Sequence, residues 1–360
     1  MDRFGDHSTT RVRALLPPPR AMSFRTIGLT ITVLALVACT ATGVQVGHRG
    51  MGGRGGGYGQ HGQRGGQAPG ARGAASNVDA GEHRTLVVNG VTRDYYFHRP
   101  ANASASLPLV IVYHGGGGDA SKIAAQTGFN EVADRNGFAV VYPNAIDHWN
   151  DGRDSTAGFG DDTRFTSELI NELATRDGID RARVYATGAS NGGMMTLRAA
   201  CERANEIAAF AVVAASFPDT YMSRCKPARS VPIMIIHGTQ DPLVPEQGAT
   251  VQGGTRRLGG TITPLKDTLD FWRRTDRCQA APSPQTLPDK SNDGTSVQVS
   301  DYQGCATNSK LVFVNVTGGG HTWPDERIAT NPKAGRVTHD IDGTQYVWDF
   351  FKNYSLSGSR

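Results

Sequence analysis

From Thr85 onward, short apolar runs alternate with longer amphipathic ones. The stretch TLVVNGVTRDYYFHRP holds two β-like runs joined by Asn89-Gly90, a pair that accepts the positive φ of a tight hairpin turn. LPLVIVYHG (107–115), FAVVYP (138–143), ARVYATG (182–188), AAFAVVAA (208–215), PIMIIHG (232–238) and LVFVNVTG (311–318) are short and mostly apolar, as strands buried on both faces must be. Residues 120–136 and 161–176 read as helices, the second with Phe165, Leu169, Ile170 and Leu173 at helical spacing. Further helices are expected over 191–203, 265–275 and 345–352. Strands that alternate with helices make βαβ units, because parallel neighbours need a crossover between them. The predicted fold class is therefore α/β, with a mainly parallel central sheet and helices on both faces. No long insertion offers a large lid, and no internal repeat is present.

The first 83 residues follow a different pattern. Phe24 to Cys39, FRTIGLTITVLALVAC, has a basic start at Arg25, an apolar run and small residues after it. The run is too short to span a bilayer and fits a signal segment over residues 1–39. Leu36-Val37-Ala38-Cys39 resembles a bacterial lipobox, which implies lipidation of Cys39 and a membrane-anchored lipoprotein of the periplasm or cell surface. The alternative is cleavage near Ala41 and a secreted protein. Met22 offers a second start, downstream of Pro17, Pro18 and Pro19. Residues 40–83 are Gly-rich and basic and cannot bury enough apolar surface to offset their ordering entropy, so they read as a disordered tether. The alternative is an arm that binds polyanions.

Composition sharpens this division. The 360 residues are 38% hydrophobic and 19% charged, enough for a large core, and 45 are glycine. The net charge of +4 comes from the N-terminal segments, and the remainder is mildly acidic. A nucleic-acid partner is not expected for the catalytic domain placed at 84–356. With Cys39 set aside, Cys201, Cys225, Cys278 and Cys305 remain. An even number in an exported chain implies two disulfides, and of three pairings the sequential one, 201–225 and 278–305, closes the shortest loops. No CxxC pair or HExxH helix is present, and neither a metal nor a cofactor is expected.

The chemistry gathers at the ends of the apolar runs. Gly188-Ala189-Ser190-Asn191-Gly192 fits the G-x-S-x-G elbow, and it stands where such an elbow must, between a strand and a helix. The turn exposes the Ser190 hydroxyl, and small flanking residues let strand and helix pass closely. The plain alternative is a helix N-cap. A serine nucleophile needs a base, and the base a carboxylate to orient it. Asp241 follows the run 232–238, and His321 follows the three glycines 318–320 that close the run beginning at Leu311. The chain order serine, acid, histidine is that of α/β-hydrolases. Asp241 could equally be a turn residue before Pro242. Backbone N–H groups for an oxyanion are assigned to Asn191, the residue after the nucleophile, and to Gly116 in His114-Gly115-Gly116-Gly117-Gly118. His114 and His237 read as loop-holding residues, and Met194 and Met195 as helix core.

These pieces, YHGGGGDA, WNDGR, GIDRARVYATGASNGGMM, VPIMIIHGTQDPLVP and GGGHTWP, stand in an order and spacing more specific than any one of them. From about Thr85 to Lys352 the chain resembles the esterase family of polyhydroxybutyrate depolymerases and feruloyl esterases, of carbohydrate-esterase type with an α/β-hydrolase fold. The resemblance implies a triad of Ser190, Asp241 and His321, with Trp323 and Trp149 lining the substrate site. It implies a serine esterase acting on feruloyl-type esters or on small or oligomeric hydroxybutyrate-type esters. Acetyl-sugar esterase, serine peptidase and surface polyanion binder are the alternatives. Asp161-Asp162-Thr163-Arg164-Phe165 departs from the family pattern at Arg164, which alters the pocket rim or faces solvent. No appended polymer-binding domain is found, so attack on solid polyester is not expected.

Overall fold

The computed structural model describes residues 79–356, except 252–258, 281, 329–330 and 332. The signal segment, the proposed lipidation site Cys39 and almost all of the Gly-rich stretch lie outside the described residues. The chain opens with the hairpin β1 (Glu82–Val88) and β2 (Val91–His98). Its turn residues Asn89 and Gly90 have φ of 51° and 78°, the paired positive values that match a turn to strand twist. There follow β3 (Leu107–Tyr113), α1 (Ala120–Thr127), α2 (Phe129–Asn136) and β4 (Ala139–Pro143). The region predicted as one helix is two, because Gly128 adopts a left-handed φ of 63° and sends its N–H to the Ala124 carbonyl. A side chain there would also collide with the Arg327 guanidinium.

Next come α3 (Asp162–Asp177), β5 (Ile179–Ala189), α4 (Asn191–Glu202), β6 (Ala209–Val213), the short α5 (Asp219–Met222) and β7 (Pro232–Gly238). The last part contains β8 (Ala249–Val251), β9 (Gly260–Ile262), α6 (Leu265–Thr275), β10 (Gln285–Thr286), β11 (Ser296–Asp301), β12 (Lys310–Thr317) and α7 (Gly343–Phe351).

The main sheet has the order β1-β2-β4-β3-β5-β6-β7-β12-β11-β10. Its six middle strands, from β4 to β12, are parallel, and antiparallel strands close both flanks. The middle strands are mostly apolar because both faces are covered. Along β3, Leu109, Ile111 and Tyr113 join one core cluster with Phe165, Leu169 and Met195 of α3 and α4. Val110 and Val112 join the other, with Ile123, Phe129, Val347 and Trp348 of α1, α2 and α7. This alternation follows from side chains pointing to opposite faces at successive strand positions. The short pair β8–β9 and the β10–β11 extension were not expected from sequence. The disulfides are Cys201–Cys225 and Cys278–Cys305.

Candidate active site

The loops after β3, β5, β7 and β12 meet at one edge of the sheet, where parallel α/β sheets leave a crevice at the carboxyl ends of their strands. At the end of β5 the backbone turns sharply into α4. Ser190 sits in this turn at φ 58° and ψ −122°, a strained conformation for a residue with a side chain. Its N–H donates to the Val213 carbonyl at 3.0 Å, and its own carbonyl accepts the Met194 N–H. Its hydroxyl makes no capping bond to α4, so the N-cap alternative finds no support. The flanking glycines are needed for space. A Cβ on Gly188 would come 2.5 Å from the Gly192 carbonyl oxygen, and one on Gly192 would come 2.2 Å from that of Tyr113. Met194 and Met195 are buried in the core beneath.

Asp241 stands in the turn after β7, buried. Its Oδ1 accepts the N–H groups of Leu243 and Val244, each at 2.8 Å. These bonds aim the other oxygen outward, and His321 Nδ1 donates to Oδ2 at 2.7 Å. With its proton on Nδ1, the His321 ring presents Nε2 as an acceptor. The backbone of His321 is itself held, its N–H donating to the Ala334 carbonyl. His237 lies beside this pair, its Nε2 bonded to the Val244 carbonyl at 2.9 Å, and burial lowers its pKa. It stays neutral and braces the turn.

Ser190 and His321 line one cleft of about 270 Å³, together with Gly115, Gly116, Leu243 and Trp323. The 115–118 turn is closed by the Gly118 N–H on the Gly115 carbonyl. His114 spans from its own Nδ1 on the Gly115 carbonyl to its Nε2, which accepts the Ala145 N–H. Burial lowers its pKa too, which keeps that acceptor free of a second proton. Trp323 is almost fully buried, donates from Nε1 to Thr344 Oγ1 and packs its edge on Phe129, presenting a fixed wall to the cleft.

Trp149 lies elsewhere. It is fully buried and is not among the residues lining this cleft. Its Nε1 donates to the His114 carbonyl at 2.9 Å and its N–H to Asn191 Oδ1 at 3.1 Å. Asn191 Nδ2 in turn donates to Asp151 Oδ2 at 2.6 Å. Asp151 is fully buried and also binds the Arg153 guanidinium and the Thr156 hydroxyl. One loop thus ties the glycine turn after β3 to the start of α4. WNDGR is among the motifs that carry the family resemblance, which by itself implies no role for Asp151 or Arg153. Their signal was present, since an acid two residues before an arginine invites pairing. Arg164 is exposed and faces Glu168 one turn along α3, while its neighbour Asp162 is buried against Arg93. The departure at Arg164 falls on solvent.

A family of proteins described as esterase PHB depolymerases matches residues 93–251. NocK, an inferred esterase of Nocardia uniformis subsp. tsuyamanensis, is 32% identical over 281 residues, covering 74% of this chain and 81% of NocK. The chain belongs to the PHB depolymerase esterase family. It is an esterase, a carboxylic ester hydrolase. Feruloyl esterase B of Piromyces equi is 29% identical over 259 residues, but those span 69% of this esterase and 42% of that longer protein. Among solved structures, a thermostable esterase superposes with a TM-score of 0.50 at 16% identity, covering 77% of this chain and 64% of that one. This likeness agrees with the α/β-hydrolase architecture of the sheet.

Proposed function

We propose that this esterase works through Ser190, His321 and Asp241. In this reading the Ser190 hydroxyl attacks the ester carbonyl, and His321 Nε2 takes its proton. The carbonyl oxygen becomes an oxyanion facing the N–H groups of Asn191 and Gly116. His321 then returns the proton to the leaving alcohol, and an acyl-enzyme remains. Water, deprotonated by the same nitrogen, attacks the acyl carbon, and the acid leaves as the proton passes from His321 to the Ser190 oxygen. Asp241 holds the ring in its Nδ1–H form and offsets the positive charge that builds on it. The observation that carries the reading is the His321–Asp241 hydrogen bond in the cleft that also exposes Ser190 at a positive-φ turn. Asn191 opens α4, so its N–H has no partner within the helix and lies at the positive end of the helix dipole.

The substrate we infer is a feruloyl-type ester or a short 3-hydroxybutyrate-type oligoester, taken with Trp323 as a wall of the pocket. The two disulfides support an exported protein. Anchoring through a lipid on Cys39 and a tether over 40–83 is part of the same proposal.

The test is Ser190→Ala in the purified protein. Release of acid from methyl ferulate and from a soluble 3-hydroxybutyrate trimer is expected to fall by about 10⁴-fold or more, with unchanged thermal unfolding. Full activity in this variant would remove Ser190 from the mechanism. The ratio of the two substrates in the unaltered enzyme decides between an aromatic-accepting and a hydroxyalkanoate-accepting pocket.

A further inference from the structure

Away from the cleft, residues 289–295 read Asp-Lys-Ser-Asn-Asp-Gly-Thr. Calcium loops place oxygen ligands at their first, third and fifth positions and glycine at the sixth, and Asp289, Ser291, Asp293 and Gly294 fall at that spacing. Gly294 has a φ of 81°, the conformation the sixth position needs for its sharp turn. The glutamate of a complete loop is missing, because the twelfth residue is Ser300.

A carboxylate from a distant part of the chain meets the start of the loop. Asp340, 2% exposed, rests on the loop, with Oδ1 accepting from Lys290 N at 2.7 Å, Ser291 N at 3.2 Å and Ser291 Oγ at 2.9 Å. Its Oδ2 is buried and has no hydrogen-bond partner. Ser291 Oγ also lies 2.7 Å from Asp293 Oδ2. A hydroxyl has one proton and can donate to only one of these two carboxylates. No lysine or arginine among the described residues forms an ion pair with Asp293 or Asp340. Asp293 also accepts the Thr295 N–H at 2.9 Å, the Thr295 hydroxyl at 2.6 Å and the His339 N–H at 2.7 Å, so the shortage falls on Asp340, whose buried Oδ2 is costly unless positive charge joins it.

We propose that this loop binds a calcium ion through Asp340, Asp293 and Ser291, with backbone carbonyls and water completing the oxygen shell. Among the described residues no three His, Cys, Asp or Glu side chains form a metal nest. Two carboxylates with neutral oxygens match a weak site for a hard cation that accepts irregular oxygen shells, which magnesium does not. The site bears on the active centre through residues 334–340. The Asp293 carboxylate accepts the His339 N–H at 2.7 Å, while the carbonyls of Ala334 and Arg336 accept the N–H groups of His321 and Gly320.

Full-length protein stripped with EDTA and dialysed is unfolded thermally in 10 mM CaCl₂, in MgCl₂ and in NaCl of equal ionic strength. Calcium is expected to raise Tm by about 3–10 °C over NaCl, and magnesium by less. Calorimetric titration with CaCl₂ is expected to give one site with Kd on the order of 10⁻⁴–10⁻³ M. Ser291→Ala and Asp340→Asn are expected to lose the calcium increment, each measured against its own Tm in NaCl. Ser291→Ala carries the comparison if Asp340→Asn does not fold. A wild-type Tm indifferent to calcium would overturn the proposal, as would an undiminished increment in the variants.

Discussion

Gly192 stands where a Cβ would lie 2.2 Å from the Tyr113 carbonyl oxygen and 2.6 Å from that of His114. Neither oxygen can retreat freely, since Tyr113 is paired within the sheet and the His114 carbonyl accepts Trp149 Nε1. Gly192→Ala is therefore expected to destabilise the protein by about 1–3 kcal/mol. It should also lower kcat by more than the loss of folded protein explains, because Ser190, the proposed nucleophile, is two residues away. Urea unfolding and active-site titration together check this. The elbow was legible in the sequence because both glycines stand beside the serine. Gly193 was not, although a Cβ there would meet that of Ala215 at 2.7 Å. Its reason lies on the segment after β6, which no local pattern can report. The tie from Asp151 to Asn191 was hidden for the same cause, since 40 residues separate them, although the pairing of Asp151 with Arg153 is local.

At the level of elements, α6 ends on a buried acid. Asp276 caps the helix, its Oδ1 accepts the Val231 N–H at 2.8 Å, and its Oδ2 has no partner. Burial pushes its pKa from 3.8 up to about 7, against the opposing pull of the Val231 N–H and of Arg229. Between these two values the folded protein holds a proton that the unfolded chain has released. The stability this gives is full below about pH 4 and is lost as pH rises through about 7. Within that window each step of one in pH costs about 1.4 kcal/mol. Asp276→Asn, which carries no such proton, is expected to flatten the decline by roughly that slope. Urea midpoints of both proteins at pH 4, 6 and 8 measure it, and parallel curves would rule the proton out. The helix itself was legible in the sequence over 265–275. The protonation of its cap was not, because it depends on segments that pack over it.

For the molecule as a whole, two covalent ties support the face of the sheet packed on α3, α4 and α6. Cys201–Cys225 closes 24 residues and Cys278–Cys305 closes 27. Loops of this length restrict the unfolded chain by about 3 kcal/mol each. Reduction under native conditions is expected to lower the unfolding free energy by roughly that amount per bond. The double variant Cys278→Ser, Cys305→Ser should reproduce about half of the total loss. Denaturant curves with and without reductant give the numbers.

Sequence alone determined the class of the fold, the kinds of most elements and the family, and favoured by loop length the cysteine pairing that the structure holds. Apolar periods of two and 3.6 residues report which face of a local segment is buried, and chemistry placed just after strands reports an edge of the sheet. Tertiary structure alone decided the strand order, the break at Gly128, the buried place of Trp149, the Asp151 loop and the meeting of Asp340 with residues 289–295. Each of these depends on groups that are far apart in sequence and adjacent in space. Their energies, of close approach and of charge removed from water, exist only once the sheet has closed around them.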